Sequence, residues 1–255
     1  MIWVRFVAKD QVSYGLLEGQ TIRRVKGDPY QGFDTTEETF TLGTTQLLCP
    51  CVPTKIIAIG LNYADHARES NLEIPKEPVV FLKAPSALIG PKQDIIYPRN
   101  SRKVEYEAEL AIVIGKQAKR VSQEKARDFI LGYTCANDVS ARDWQFRDGG
   151  QWTLGKSFDT FAPIGPWINS TIDPSDLAIK SKVNGEVRQD SSTREMIFGV
   201  NFLVSFLSQV MTLEPGDVIL TGTPPGVGTL RPGDEVTIEI EGLGELTNRV
   251  VPDVG

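Results

Sequence analysis

Histidine and cysteine are scarce in this chain, with one histidine (His66) and three cysteines (Cys49, Cys51 and Cys135) in 255 residues. So small and odd a set of cysteines builds no disulfide framework, and it favours a reducing compartment, so a cytoplasmic location is expected. Cys49-Pro50-Cys51 resembles half a metal site. No second cysteine pair or histidine pair completes it, and both are read as buried or loop thiols. No apolar run reaches the ~18 residues of a spanning helix. Met1-Ile2-Trp3-Val4-Arg5-Phe6 reads as a first strand rather than a leader peptide. Basic residues are in deficit, 27 Lys and Arg against 33 Asp and Glu, and none cluster among aromatics. This argues against nucleic acid or an anionic membrane as partner. Hydrophobic content of 40% and charged content of 24% are ordinary for a globular protein. The length suits one large domain, or a small one beside a larger one.

Turn residues divide the chain. Gly15, Gly19, Gly27-Asp28-Pro29 and Gly43 punctuate short strands up to about residue 45, and Cys49 to Pro53 reads as a linker. The expected division is a small β-rich domain over 1–52 and a larger domain over 53–255. Lys55 to Gly60 reads as a buried strand, Asn62 as a helix cap, and Tyr63 to Ser70 as the helix it opens. Val79 to Lys83 is a further strand. Ser122 is read as opening a helix over Gln123 to Leu131, followed by a strand over Tyr133 to Val139. Met196 to Met211 is the strongest amphipathic helix: Ile197, Val200, Leu203, Val204, Leu207 and Met211 form one stripe, and Phe198, Phe202 and Phe206 an adjoining one. Such a helix is deeply buried or partly a subunit contact. Late strands follow over Gly216 to Leu220, Asp234 to Glu239 and Leu246 to Val251. Many strands, few helices and no regular β–α alternation indicate an α+β, mostly-β fold.

Carboxylates and apolar residues alternate from Val104 to Leu110, and an apolar run follows to Gly115. In a strand, residues two apart share a face, so Glu105, Glu107 and Glu109 line one side. Like charges leading into a core repel unless neutralised, and oxygen ligands suit Mg²⁺, Mn²⁺ or Ca²⁺. The plain alternative is an edge strand with a wetted acidic face. Asp138 ends an apolar strand and is a natural third ligand; otherwise it caps a helix or pairs with Arg142. His66 and Glu69, three apart on a helix, would share a face, so that the carboxylate orients the imidazole as a base; otherwise His66 is a surface histidine with an incidental neighbour. Lys156, set among apolar and small residues, is read either as stabilising an enolate or binding a carboxylate, or as a structural ion-pair partner. Leu220 to Gly228 is a rigid Gly/Pro loop without the Gly-Lys-Ser/Thr ending of a phosphate loop.

Six stretches in order resemble the fumarylacetoacetate hydrolase family. They are Ile59 to His66, Phe81-Leu82-Lys83, Glu105 to Ala111, Asn137 to Gln145, Gly155 to Thr160, and Thr221 to Pro224. The wording around Arg142-Asp143-Trp144-Gln145 resembles the shorter, single-catalytic-domain members. The resemblance implies a rolled β-sandwich catalytic domain, usually in a homodimer. It implies Mg²⁺ or Mn²⁺ (Ca²⁺ as a substitute) held by Glu107, Glu109 and Asp138, with Glu105 at the periphery. By the same resemblance His66 and Glu69 form the catalytic pair, Lys156 stabilises enolate charge, and Arg142, Gln145 and Thr223 contact substrate.

The implied substrate is a small 2-oxo acid with a second carbonyl or carboxyl group. C–C hydrolysis or decarboxylation through a metal-stabilised enolate is the expected reaction. Tautomerisation or isomerisation of the same substrate class is the alternative, and a non-catalytic metal or metabolite binder a more distant one. The stretch from Asn62 to about Glu77, poor in apolar residues, is expected to act as a lid.

Overall fold

The computed structural model describes residues 1–69 and 73–255. Its fold is α+β and mostly β. One mixed sheet of 12 strands runs through the molecule, packed against a five-stranded sheet, and a three-stranded sheet draws its strands from among theirs in sequence. The large sheet places Ala108–Ile114 between Ile130–Asn137 and Val218–Leu220, near its middle. All seven residues of Ala108–Ile114 are buried, because both faces are covered. In the five-stranded sheet, Ile179, Ser181 and Val183 alternate inward, as do Val236, Ile238 and Ile240. These rows close the sandwich core.

The four N-terminal strands form consecutive hairpins around a small core of Val4, Phe6, Ala8, Leu17 and Ile22. They join the large sheet where Ile2 and Trp3 pair with Asn169 and Ile168. The connection after them is clamped by Asp217, which is fully buried. Its carboxylate accepts from the Thr54 amide (2.9 Å) and hydroxyl (2.7 Å), the Lys55 amide (3.1 Å) and the Glu214 amide (2.7 Å), and pairs with the Lys55 ammonium. Asp217→Ala would strand these donors, and a loss of about 3 to 5 kcal/mol is expected. Urea unfolding checks it; a loss under ~1 kcal/mol would mean water replaces the carboxylate freely.

There are four α-helices among the described residues: α1 (Ala64–Glu69), α2 (Arg142–Gln145), α3 (Trp152–Lys156) and α4 (Val200–Val210). None is long and apolar enough to cross a membrane. Three expectations need correction. The helix expected over Gln123 to Leu131 is a 3-10 segment, Gln123–Phe129, and Ile130 already pairs with Ile114. Cross-strand pairing of β-favouring residues prevails there over helix propensity. α4 begins at Val200 rather than Met196, because Met196 bridges to Tyr63 and the amides of Ile197 and Phe198 bond to Asn62. Asn62 itself is no cap. It is fully buried, and its amide donates to the carbonyls of Phe198 (3.0 Å) and Thr221 (2.8 Å).

The expected lid is anchored over its first part. Ser191 Oγ lies 2.5 Å from Asp65 Oδ2, and Arg68 pairs with Glu195 at 3.2 Å. Residues 70–72 of that stretch lie outside the described residues.

Candidate active site

The register of two strands assembles the acidic cluster. Ala108 pairs with Asn137 and Glu109 with Ala136, so the next position outward sets Asp138 beside Glu107. The Asp138 amide donates to the Glu107 carbonyl at 2.9 Å, and the Glu107 amide donates to the Asn137 side chain at 3.0 Å. Glu107 and Glu109, two apart, then face the same side as Asp138. One carboxylate oxygen from each of these three buried residues lies within 4.8 Å of the others. Glu105 diverges. The strand breaks at Glu107, and Val104–Tyr106 belongs to the three-stranded sheet. The Glu105 carboxylate turns to Arg142 Nε (2.7 Å) and Lys103 (3.2 Å).

Cations from three separate elements enter the cluster. Lys156 ends α3, and its ammonium donates to Glu107 and Asp138, both at 2.7 Å. Arg142 opens α2, donating to Gln145 Oε1 at 2.7 Å and also to Glu107. Lys83 ends the Val79–Lys83 strand, donating to Asp138 at 2.5 Å and to the Val139 carbonyl at 3.1 Å. α3 can press onto α2 because Gly155 has no side chain; a Cβ there would lie 2.6 Å from the Gln145 nitrogen. Of the two pairings open for Asp138, neither the cap nor Arg142 is observed; its partners are the two lysines.

These contacts set the charges. Burial alone would raise the Glu107 carboxyl, but Arg142 and Lys156 outweigh it and hold it at about 2. Burial pushes the Lys156 ammonium down, and Asp138 and Glu107 more than reverse this, so it stays protonated. Burial pulls Lys83 below its ordinary value, with Asp138 opposing. Glu109 is the exception. Burial, then Asp138 and Glu107, drive its carboxyl well above the ordinary range. Its only hydrogen bond among the described residues is from the Gly222 amide, at 2.6 Å. Gly222 has φ +95°, and a Cβ on it would meet that of Asn62 at 2.8 Å, so the loop comes this close only as glycine.

Glu109 is thus an acid buried beside two others with no cation of its own. A divalent ion fits that deficit: it would neutralise Glu109 while sharing Glu107 and Asp138, and an all-oxygen set suits Mg²⁺ or Mn²⁺.

Glu107 and Glu109 of the cluster line a cleft of about 410 Å³, with Asp138 fully buried beside them. His66, Arg142, Gln145, Lys156 and Thr223 also line it. His66 Nδ1 is 3.2 Å from Glu69 Oε2, so α1 does bring the two together, at the exposed rim. The Thr223 hydroxyl is already used by the protein, donating to the Ala108 carbonyl at 2.9 Å and accepting from Gln189 at 2.8 Å. Gln189 also supports the cluster by accepting from the Ala108 amide at 3.0 Å. Neither Gln189 nor the role of Lys83 was singled out from sequence. The signal for Lys83 was present: a lysine on the inward face of a strand, two residues after buried Phe81. For Gln189, on an otherwise exposed hairpin, there was none. Cys49 and Cys51 lie with their sulfurs 3.9 Å apart, buried and away from the acids.

A mostly-β sandwich that gathers two glutamates and an aspartate, with a buried lysine, in the wall of a cleft defines a class of enzyme built to hold a divalent ion. The chain belongs to the fumarylacetoacetate hydrolase family: the sequence model "Fumarylacetoacetate (FAA) hydrolase C-terminal" matches residues 55–251, and "Rv2993c-like, N-terminal" matches residues 1–50. Mitochondrial oxaloacetate tautomerase FAHD2A of Bos taurus is 51% identical over 210 residues, covering 78% of this chain and 67% of that protein. The crystal structure of 2-hydroxyhepta-2,4-diene-1,7-dioate isomerase from Mycobacterium marinum superposes with a TM-score of 0.93 at 44% identity over the whole of both chains. Fumarylacetoacetate hydrolase from Exiguobacterium antarcticum superposes with a TM-score of 0.90 at 35% identity over 99% of each chain.

Proposed function

We propose that the protein catalyses metal-dependent proton transfer on a 2-oxo acid carrying a second carbonyl or carboxyl group, by way of its enolate. The observation that carries this is the convergence of Glu107, Glu109 and Asp138, the two glutamates lining a cleft together with Lys156. A divalent ion held by these three would supply Lewis acidity to the 2-oxo carbonyl and anchor the neighbouring carboxylate. Lys156 stays protonated and turns an N–H toward the developing enolate oxygen. His66, oriented by Glu69, moves the proton at the adjacent carbon. Gln145 offers its side-chain amide to the substrate, its carbonyl oxygen being held by Arg142. Arg142 acts mainly by fixing Glu107 and Gln145. Thr223 shapes the wall against the substrate. The relatives named above as a tautomerase and an isomerase support proton transfer over decarboxylation.

A second reading, C–C hydrolysis, is favoured by one feature. The His66–Glu69 pair sits at the solvent side of the cleft, where it can drive a water onto a distal carbonyl. The test is a panel assay with Mg²⁺, Mn²⁺ or a chelator on oxaloacetate, acylpyruvates, fumarylpyruvate and a hydroxyheptadienedioate, following enol loss and cleavage products separately. Metal-dependent enol–keto exchange without cleavage is expected, and His66→Gln should slow it about 10²- to 10⁴-fold. Cleavage without exchange replaces the first reading with the second; no metal-dependent turnover on any substrate removes both.

We also propose that 53–255 carries the reaction, that 1–52 is a separate small module, and that the protein works as a homodimer in the cytoplasm. Phe198, just before α4, and Phe206 on it lie half-buried on either side of Phe202, with ring centres 5.4 and 5.9 Å from its own, and are the candidate subunit contact. A monomeric mass in sedimentation equilibrium removes the dimer.

A further inference from the structure

A second cavity lies away from the acidic cluster. It is a cleft of about 590 Å³ bounded by the Gln123–Phe129 turn, the loop after the Ala162–Asn169 strand and the start of α4. Three features of its wall point to one kind of ligand.

The first is Tyr133. It is completely buried, and its hydroxyl has no hydrogen-bond partner among the described residues. A buried hydroxyl left without a partner is unusual and marks the place of a missing polar group. Burial pushes this phenol up to about 12 while Arg127 pulls it down and Asp173 pushes it up, so at neutral pH it is an O–H donor flanked by two residues of the cavity wall.

The second is Arg127, whose guanidinium lies 5.5 Å from the centre of the Tyr133 ring. It donates to the carbonyls of Ile130 (3.2 Å) and Ser170 (2.9 Å), and no described carboxylate pairs with it. A guanidinium presents five donors in a planar fork suited to an oxyanion, and these carbonyls leave donors unused.

The third is the first turn of α4. Gly199 is its cap and supplies no side-chain acceptor, and Gly199, Val200 and Asn201 line the cavity, so the helix start borders it with amides that no side chain caps. The one carboxylate on the wall is Asp173, whose Oδ1 is engaged by the Ser175 amide at 3.1 Å. Arg194 on the same wall is paired with Asp176 (3.8 Å) and Glu195 (4.0 Å), which leaves Arg127 as the unpaired cation among the described wall residues. Ile172, Met196 and Phe202 give it an apolar side that would cover a short carbon skeleton.

We propose that this cavity is a second ligand site, distinct from the active cleft, for a small metabolite whose oxyanion, carboxylate or phosphate, is received by Arg127, the Tyr133 hydroxyl and the first amides of α4. It requires nothing of the reaction proposed above, and its test reads binding alone.

The intact protein is titrated calorimetrically with inorganic phosphate and, separately, with succinate. One saturable event per chain is expected with at least one probe. Which probe binds distinguishes a phosphate ester from a carboxylate, and either result supports the site. Tyr133→Phe and Arg127→Gln should each weaken binding about tenfold or more, the scale of losing a donor to a charged group. His66→Gln, at the exposed rim of the other cleft, should leave it unchanged. Arg127→Gln also gives up two carbonyl contacts, so thermal unfolding is followed alongside; Tyr133→Phe removes a single unpartnered oxygen and keeps the packing. No saturable binding of either probe overturns the site, as does binding that survives Tyr133→Phe and Arg127→Gln or is lost with His66→Gln.

Discussion

Glu109→Gln is expected to stabilise the metal-free protein and to abolish its activity. The carboxyl of Glu109 is driven well above its ordinary range, first by burial and then by Asp138 and Glu107. A folded-state value above the unfolded one means that the charge opposes folding as pH rises past the unfolded value, and the full penalty stands once pH exceeds the folded one. Gln keeps an oxygen for the Gly222 amide and carries no charge. A gain of about 1 to 3 kcal/mol near neutral pH follows, the scale of relieving one buried, poorly partnered polar group. The same change removes the proposed ligand that most needs a cation, so Mn²⁺ binding should fall below detection and turnover drop about 10³-fold or more, since Lewis-acid stabilisation is worth several kcal/mol. Scanning calorimetry with and without Mn²⁺ reads both halves. Wild-type affinity for Mn²⁺ in this variant would remove Glu109 from the centre.

Lys156→Met should act in the opposite direction on stability. One ammonium is shared by Glu107 and Asp138 at 2.7 Å each, and both acids stay buried when it is gone. Breaking such a pair from one side costs about 3 to 5 kcal/mol. Turnover should fall about 10²- to 10³-fold, as for loss of a donor to a developing oxyanion. Added Mn²⁺ should raise the melting temperature of this variant more than that of the wild type, because the ion then replaces a missing positive charge as well as neutralising Glu109. An equal gain in both proteins would show that Lys156 and the ion do not share carboxylates.

The legible parts were those fixed by short-range geometry. The alternation from Val104 to Leu110 announced a strand with its acids on one side, and the apolar spacing within 200–210 announced α4. His66 and Glu69 were expected to share a face of a short helix, and they do. The failures share a cause. Asn62 has the chemistry of a cap, but Phe198 and Thr221, more than a hundred residues away, claim its amide. The Gln123–Phe129 turn lost its last residues to a neighbouring strand.

What the sequence alone determined is the set of carboxylates and the side on which Glu107 and Glu109 stand, because the two-residue period of a strand is a property of the local backbone. The tertiary structure decided which charges surround them. Lys83, Arg142 and Lys156 reach the cluster from three different elements, and Asp138 reaches it through the register of Ala108–Ile114 against Ile130–Asn137. That placement leaves Glu109 alone without a cation. Coulomb energy depends on distance through space and on the water excluded between charges, and a linear order of residues fixes neither.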